Sequence, residues 1–424
     1  MIIREKIKDG VYFTSAEYAY KRSRLGIYLS FPALRETQTA TALLPYMLER
    51  GTASCPDKVR LGRRLSSLYG ADLKSNYNQY GAARLLSVAI SGADAAFLPN
   101  GRQIADERAQ LLSDLLCDPV IENDTFRDDW IDIEREKLGD TIRSLINDKR
   151  EYCLRKLTDC LYAGDSRSLA PDGYEQDLFE ITGESLYSVY KSILAQCNVE
   201  IIYAGNDVKS AYDCALKIAD RISTTPIEIV HPGAVKKRQP IEIVEKMNVE
   251  QDKLALGFTT GRTLNHEELS ALRVGCMLLG GTATSRLFMN VREKQSLCYY
   301  VSSSASYESG GGAIIECGVA KENATLARNA IMAELEKLAN NGPTEKEMDE
   351  MRLTLKNAFR GLTDSASAIS SYLQIAIVRD GKLTTPHMML DELLSISAEQ
   401  ARKALSDLSL FCTCRITSEG EKQA

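Results

Sequence analysis

The stretch Ala42-Leu43-Leu44-Pro45-Tyr46-Met47-Leu48-Glu49-Arg50-Gly51-Thr52 decides how the chain is read. Thr39 to Arg50 is helix-like, and Gly51 follows where helices commonly stop. Pro45 conflicts with that helix. It removes the amide that would bond to the Thr41 carbonyl and crowds the preceding turn, at a cost of about 3 kcal/mol in a helix interior. The expectation is a helix that is kinked, or that starts late, near Pro45. The second half carries a counterpart: Asn265 to Leu279 runs into Gly280-Gly281-Thr282. There, Asn265 and Glu268 have the spacing of an N-cap and its reciprocal partner.

Outward from these two segments the halves share an order. Each has a short amphipathic helix and then alternating strands, near Leu86 to Ser91 in the first half and Tyr299 to Val319 in the second. Long helices come next. Asp124 to Ile146 places Ile131, Leu138, Ile142 and Leu145 at helical steps, and a helix from Thr344, with Glu347 completing a capping box, does the same with Met348, Met351, Leu355, Phe359 and Leu362. Each half closes with a helix and a strand: Glu184 to Leu194 into Val199 to Tyr203, and Glu399 to Leu405 into Leu410 to Cys414. The repeated order predicts an α+β chain of two homologous domains of ~200 residues each. Their boundaries fall at 1–223 and 249–424, with 224–248 as a linker punctuated by Pro226, Pro232, Gly233 and Pro240.

Bulk composition narrows the function. The 424 residues are 44% hydrophobic and 26% charged, ordinary globular values, with a net charge of −6. Phosphate binding wants clustered Lys and Arg, and Lys236-Lys237-Arg238 is a short run in the linker, so nucleic acid is not the expected partner. No stretch approaches the ~20 apolar residues of a membrane span. The opening Met1-Ile2-Ile3-Arg4-Glu5-Lys6 turns polar too early for a signal peptide. A cytoplasmic protein is expected. The eleven cysteines are irregularly spaced, unlike a disulfide scaffold or a zinc site. Cys412-Thr413-Cys414 lies on a probable strand, where alternate residues share a face; it is half a metal site or a pair of buried small side chains.

At Met47-Leu48-Glu49-Arg50-Gly51-Thr52 the sequence resembles the M16 (insulinase/pitrilysin-like) peptidases. Those enzymes carry an inverted zinc motif, His-x-x-Glu-His, on a helix running into Met-Leu-x-x-Gly-Thr. With the register set by Gly51-Thr52, the two zinc histidines map to Ala42 and Tyr46 and the general-base glutamate to Pro45. The third ligand, a glutamate seven residues beyond another glutamate, maps to Thr141, with Glu134 retained as the other. Zinc hydrolysis needs two imidazoles on one helix face and a carboxylate beside the metal-bound water. Alanine, proline, tyrosine and threonine do not supply them. The chain's three histidines, His231, His266 and His387, have no ligand spacing to substitute, with His266 in the first turn of its helix and His387 in a loop.

The second half keeps a different family feature. Ser285 to Tyr300 resembles a stretch of the M16 C-terminal domains in which an arginine at a helix end and a tyrosine seven residues later reach the substrate. Arg292 and Tyr299 stand at that spacing. A guanidinium offers fixed donors to a peptide carbonyl, and a phenol can donate to an oxyanion. The plain alternative is that Arg292 pairs with Glu293 or caps its helix while Tyr299 packs under the sheet; Tyr300 is the fallback if the register slips by one. Gly310-Gly311-Gly312, after Ser302 to Tyr307, reads as a hairpin connection.

The resemblance implies two α/β-sandwich domains of the LuxS/MPP-like type forming half of a clamshell, closest to bacterial insulinase-like proteins linked by name to elongation factor P modification. It also implies a non-catalytic subunit that pairs with a zinc-bearing M16 homologue around a peptide, with zinc in the partner and no cofactor in this chain. Two other functions stay open: a homodimeric scaffold that captures extended segments by strand addition, and a thiol enzyme built on Cys298, for which no histidine base is evident.

Overall fold

The structure, a computed structural model, describes residues 1–306 and 310–418. The first of its two sheets contains β1 (Ile2–Lys8), β2 (Val11–Glu17), β3 (Arg22–Pro32), β4 (Asp72–Tyr80), β5 (Ala83–Ala93) and β6 (Asn198–Gly205), in the order β1-β2-β6-β3-β5-β4. The second contains β7 (Ile241–Met247), β8 (Asp252–Thr259), β9 (Tyr300–Ser306), β10 (Gly312–Val319) and β11 (Ser409–Ser418), in the order β7-β11-β8-β10-β9. Without β1 the two sheets have one plan, β2, β6, β3, β5 and β4 taking the places of β7, β11, β8, β10 and β9. The parallel neighbours also correspond, β2 with β6 and β7 with β11, while the other pairs are antiparallel. The order repeated in the sequence is a repeated topology.

Local chemistry starts the helices where the sequence places them. The Asn265 side chain accepts from the Glu268 amide at 2.9 Å, and Glu268 accepts from the Asn265 amide at 2.9 Å, opening the His266–Cys276 helix. The Thr344 side chain likewise accepts from the Glu347 amide at 3.3 Å, and Glu347 from the Thr344 amide at 2.7 Å, opening the Glu345–Leu362 helix. The stretch 224–248 is not all linker. Its proline and glycine punctuation ends at Pro240, and Ile241-Glu242-Ile243 begins β7, which pairs with β11 from Cys412 onward. His387 lies in the Pro386–Ser395 helix rather than in a loop. β9 and β10 form the hairpin read around Gly310–Gly312; Tyr307, assigned to its first strand, lies outside the described residues.

The compact units are discontinuous where the sequence reading drew continuous segments. One comprises 1–143, 169–230 and 360–386; the other comprises 144–168, 231–359 and 387–424. The cause is packing. The Ala366–Asp380 helix buries Ala366, Ile369 and Leu373 against Ala16, Tyr28, Leu85 and Ile202 of the first sheet. The Lys149–Leu161 helix buries Cys153, Leu157 and Leu161 against Ala255, Cys412, Cys414 and Ile416 of the second. Both helices follow the long helix of their own half, so they are the same element of the repeat, exchanged. An apolar helical face declares that a helix is covered, not which sheet covers it.

Candidate functional site

The helix that carries the degenerate motif runs over Gln38–Leu48 with Pro45 inside it. It does not start late: Thr41 already donates its amide to Thr37 O at 2.8 Å. The proline falls in the second half of the helix, and the chain leaves through Gly51, where an added Cβ would stand 2.5 Å from Cys55 O. That close approach makes glycine necessary at Gly51.

The four positions aligned with zinc and base do not form a metal site. Ala42 and Pro45 are buried, Ala42 in the apolar core of the first unit, and Tyr46 is half-buried against that core. Thr141 is exposed on the Asp128–Ser144 helix and donates its hydroxyl to Lys137 O at 3.1 Å. A methyl group, a pyrrolidine ring, a neutral phenol and a donated hydroxyl are not a zinc donor set. Among the described residues no group of three or more His, Cys, Asp or Glu side chains is placed to hold a metal ion. His266 and His387 instead contact Glu392 and Asp391, each at 2.8 Å.

Glu134 is almost fully buried and bound by cations. Arg50 bonds to it directly, Lys137 at 2.8 Å, and Lys58 approaches at 3.6 Å. Burial pushes its carboxyl up, but the Lys137 hydrogen bond and the Arg50 and Lys58 charges together hold it below the ordinary glutamate value. The neighbouring Glu49 goes the other way. Its carboxyl accepts from the Ser75 amide at 2.6 Å, and burial outweighs that bond and raises it.

A buried polar network lies beside the start of the helix. Gln38 donates to Ala170 O at 2.6 Å and Pro171 O at 3.1 Å, and accepts from Arg84 Nε at 2.9 Å and Tyr77 OH at 3.3 Å. Sequence reading missed it. Its signal was an arginine inside the apolar run Ala82-Ala83-Arg84-Leu85-Leu86, where burial demands partners.

In the second unit, Arg292 and Tyr299 are brought together. Arg292 lies in the Leu287–Lys294 segment, whose hydrogen bonds are of the wide π type. Arg286 anchors that segment to Glu347 at 2.8 Å and to Gly342 O at 2.9 Å, and Asn290 anchors it to Glu334 at 2.8 Å. The chain then reverses through Ser296 at φ 51°. Arg292 Nε donates to Tyr299 O at 2.8 Å, Nη1 meets Glu293 at 3.1 Å, and the guanidinium lies 4.5 Å from the Phe288 ring centroid. The Glu293 pairing is therefore present, together with the bond to Tyr299. The Tyr299 amide is fixed by Gly318 O at 2.8 Å, but its side chain is 55% exposed and so does not pack under the sheet. Tyr300 is half-buried, with the Arg150 guanidinium 5.0 Å from its ring centroid.

Comparison with known proteins resolves the lineage. A family model described as "Peptidase M16 inactive domain" matches residues 180–355, the stretch that holds Arg292 and Tyr299. The chain is similar to M16 peptidases. It is 29% identical over 347 residues to the "Probable inactive metalloprotease YmfF" of Bacillus subtilis strain 168, covering 81% of this chain and 80% of that protein. It is 26% identical to the "Uncharacterized zinc protease YmxG" of the same strain, covering 69% and 70%. A conserved protein from Enterococcus faecalis V583 shares its fold at TM-score 0.87 and 24% identity, each chain covered in full. A peptidase M16 inactive domain from Pseudomonas fluorescens does so at 0.79 and 17%, also covered in full. The chain is thus an inactive M16 peptidase-like protein. No helix of the described residues is long and apolar enough to cross a membrane.

Proposed function

We propose that this chain is a non-catalytic M16 subunit that pairs with a zinc-bearing M16 homologue to bind and process peptides in the cytoplasm. The observation that carries the reading is the contrast between the two halves. The first has Ala42, Pro45, Tyr46 and Thr141 at the metal and base positions. The second presents an exposed Tyr299 phenol on a turn fixed by the Arg292 guanidinium. In such a pair these two groups would orient the peptide and donate to charge developing on its carbonyl oxygen, and zinc would belong to the partner. The presence in one bacterial strain of relatives named as an inactive metalloprotease and as a zinc protease supports a division of labour.

The second reading is a homodimeric scaffold without hydrolysis that captures extended segments by strand addition. The position of β9 at the end of its sheet favours it.

Purification from the native organism separates the two. The pairing model expects a zinc-bearing homologue to co-purify, peptide cleavage by the pair but not by this chain, and well below one zinc per isolated chain. Isolation as a homodimer alone would leave the scaffold ahead, and one tightly held zinc per chain would overturn both.

A further inference from the structure

The two sheets share one plan, but their equivalent edges end differently. In the first, β2 is covered by β1, which pairs with it antiparallel from Ile2 opposite Ala16 to Lys6 opposite Tyr12. β7 holds the place of β2 in the second sheet, pairs with β11 on one side, and ends the sheet. Among the described residues no strand pairs with its other side. An end strand leaves alternate amides and carbonyls pointing outward, where a further strand can bond to them.

The residues of β7 say which strand fits. Ile243 and Met247 pack toward the Lys149–Leu161 helix, where Glu245 accepts from Tyr152 OH at 2.9 Å and meets Lys156 at 3.3 Å. Glu242, Val244 and Lys246 lie on the opposite face and are exposed, Val244 at 52%. Neither Glu242 nor Lys246 has an ion-pair partner among the described residues. Laid antiparallel against a second copy of itself in full overlap, the strand Ile241–Met247 is centred on Val244. Glu242 of each copy then stands opposite Lys246 of the other, on the same face as the central pair of Val244 side chains. On the helix-covered face Ile241 meets Met247. Opposite-charge and apolar pairs directly across an antiparallel ladder stabilise it, and like charges destabilise it.

The other sheet ends lack this complementarity. The same full overlap of β1 puts Glu5 opposite Glu5 and Arg4 opposite Lys6, like charges each time. The outward Ser75 amide of β4 is held by Glu49. β9 carries no charge to select a partner or a register.

We propose that β7 is a self-association edge, through which two copies of this chain join antiparallel along Ile241–Met247 and merge their five-stranded sheets into one continuous sheet. The overlap supplies about six to eight interchain backbone hydrogen bonds, the number set by which amides point outward. Two-fold symmetry uses the same edge on both copies, so the contact closes at two. It depends on neither reading of the function, because β7 is at the opposite end of the sheet from β9 and the Arg292–Tyr299 turn takes no part.

The test uses the isolated full chain, followed by sedimentation equilibrium from low-micromolar to submillimolar concentration. Wild type should dimerise. Glu242→Lys and Lys246→Glu each set like charges opposite one another at two places in the dimer, and each should weaken it by roughly tenfold or more. Both sites are exposed, so thermal melts of the variants should match wild type. Mixing the two variants should restore dimers as a heterodimer, since opposite charges then meet at both places. The double variant carrying both changes should dimerise by itself for the same reason. A wild-type chain that stays monomeric throughout, a dimer indifferent to either reversal, or weakened dimers that mixing does not restore would each overturn the proposal.

Discussion

Glu134 is a buried carboxylate that holds cations of the chain itself. With Arg50, Lys58 and Lys137 around one buried carboxylate, its loss would leave Arg50 under-compensated. Glu134→Gln should therefore cost about 2–4 kcal/mol at neutral pH. The pH dependence has a definite sign. A carboxyl held below its ordinary value of 4.5 stabilises the fold above that value, and its contribution is lost as the pH falls through the lowered one. Urea melts of both proteins should differ at pH 7 and converge in acid; a constant gap would show that the carboxylate charge is not responsible. Arg292 and Tyr299 answer to a different measurement. Tyr299→Phe should lower peptide turnover by the reconstituted pair by roughly 10²–10³, and Arg292→Lys should weaken it through loss of the planar fork. Thermal melts should barely move for Tyr299→Phe, because its hydroxyl is on an exposed side chain; a large drop would assign that residue to packing. These residues were legible because each sits at a fixed distance from a motif. The Gln38–Arg84–Tyr77 network was not, because it joins positions whose contact depends on the tertiary fold.

Elements were legible to the extent that their cause is local. The capping pairs at Asn265 and Thr344 are written in three-residue spacings. The Gln38–Leu48 helix shows the limit. Of the kink or late start that Pro45 predicts, the late start does not occur: the helix begins at Gln38, and burying Leu43, Leu44, Met47 and Leu48 at 0–2% exposure outweighs one missing amide bond. β4 adds a consequence that no propensity encodes. It ends the first sheet, and in an antiparallel ladder alternate amides of an end strand point outward. The outward amide of Ser75 is occupied by the Glu49 carboxylate, which stands where the carbonyl of an added strand would lie. Glu49→Ala should speed hydrogen exchange at Ser75 by roughly tenfold or more and make this edge more receptive to strand addition. Unchanged exchange would show that the contact does not protect the edge. Glu49→Gln keeps an acceptor but removes a charge that burial disfavours. A carboxyl raised above 4.5 favours the fold below 4.5, and that contribution is lost as the pH rises through the raised value. The glutamine variant should therefore gain stability over wild type only above that window.

At the scale of the whole chain, duplication was readable and exchange was not. The repeated helix–glycine–strand grammar predicts two sheets of one plan, and the shared strand order and parallel pairs bear that out. The Lys149–Leu161 and Ala366–Asp380 helices have ordinary apolar faces, and nothing in their periodicity says that each belongs on the other half's sheet. The exchange has a direct consequence for cutting the chain at its apparent boundary. A fragment of residues 1–230 lacks the helix that covers Ala16, Tyr28, Leu85 and Ile202, and carries one whose Cys153, Leu157 and Leu161 have no sheet to cover. The fragment 231–424 has the converse defects. Leaving several core side chains unburied on both sides exceeds what a domain with roughly 5–15 kcal/mol of stability tolerates. Each fragment expressed alone should be insoluble or lack a cooperative melt. Co-expressed, the two should assemble into one soluble complex, because all the exchanged surfaces are then present. Circular dichroism melts and size-exclusion chromatography read this directly. Two independently soluble fragments with sharp transitions would mean that each sheet can be covered by its own half's helix.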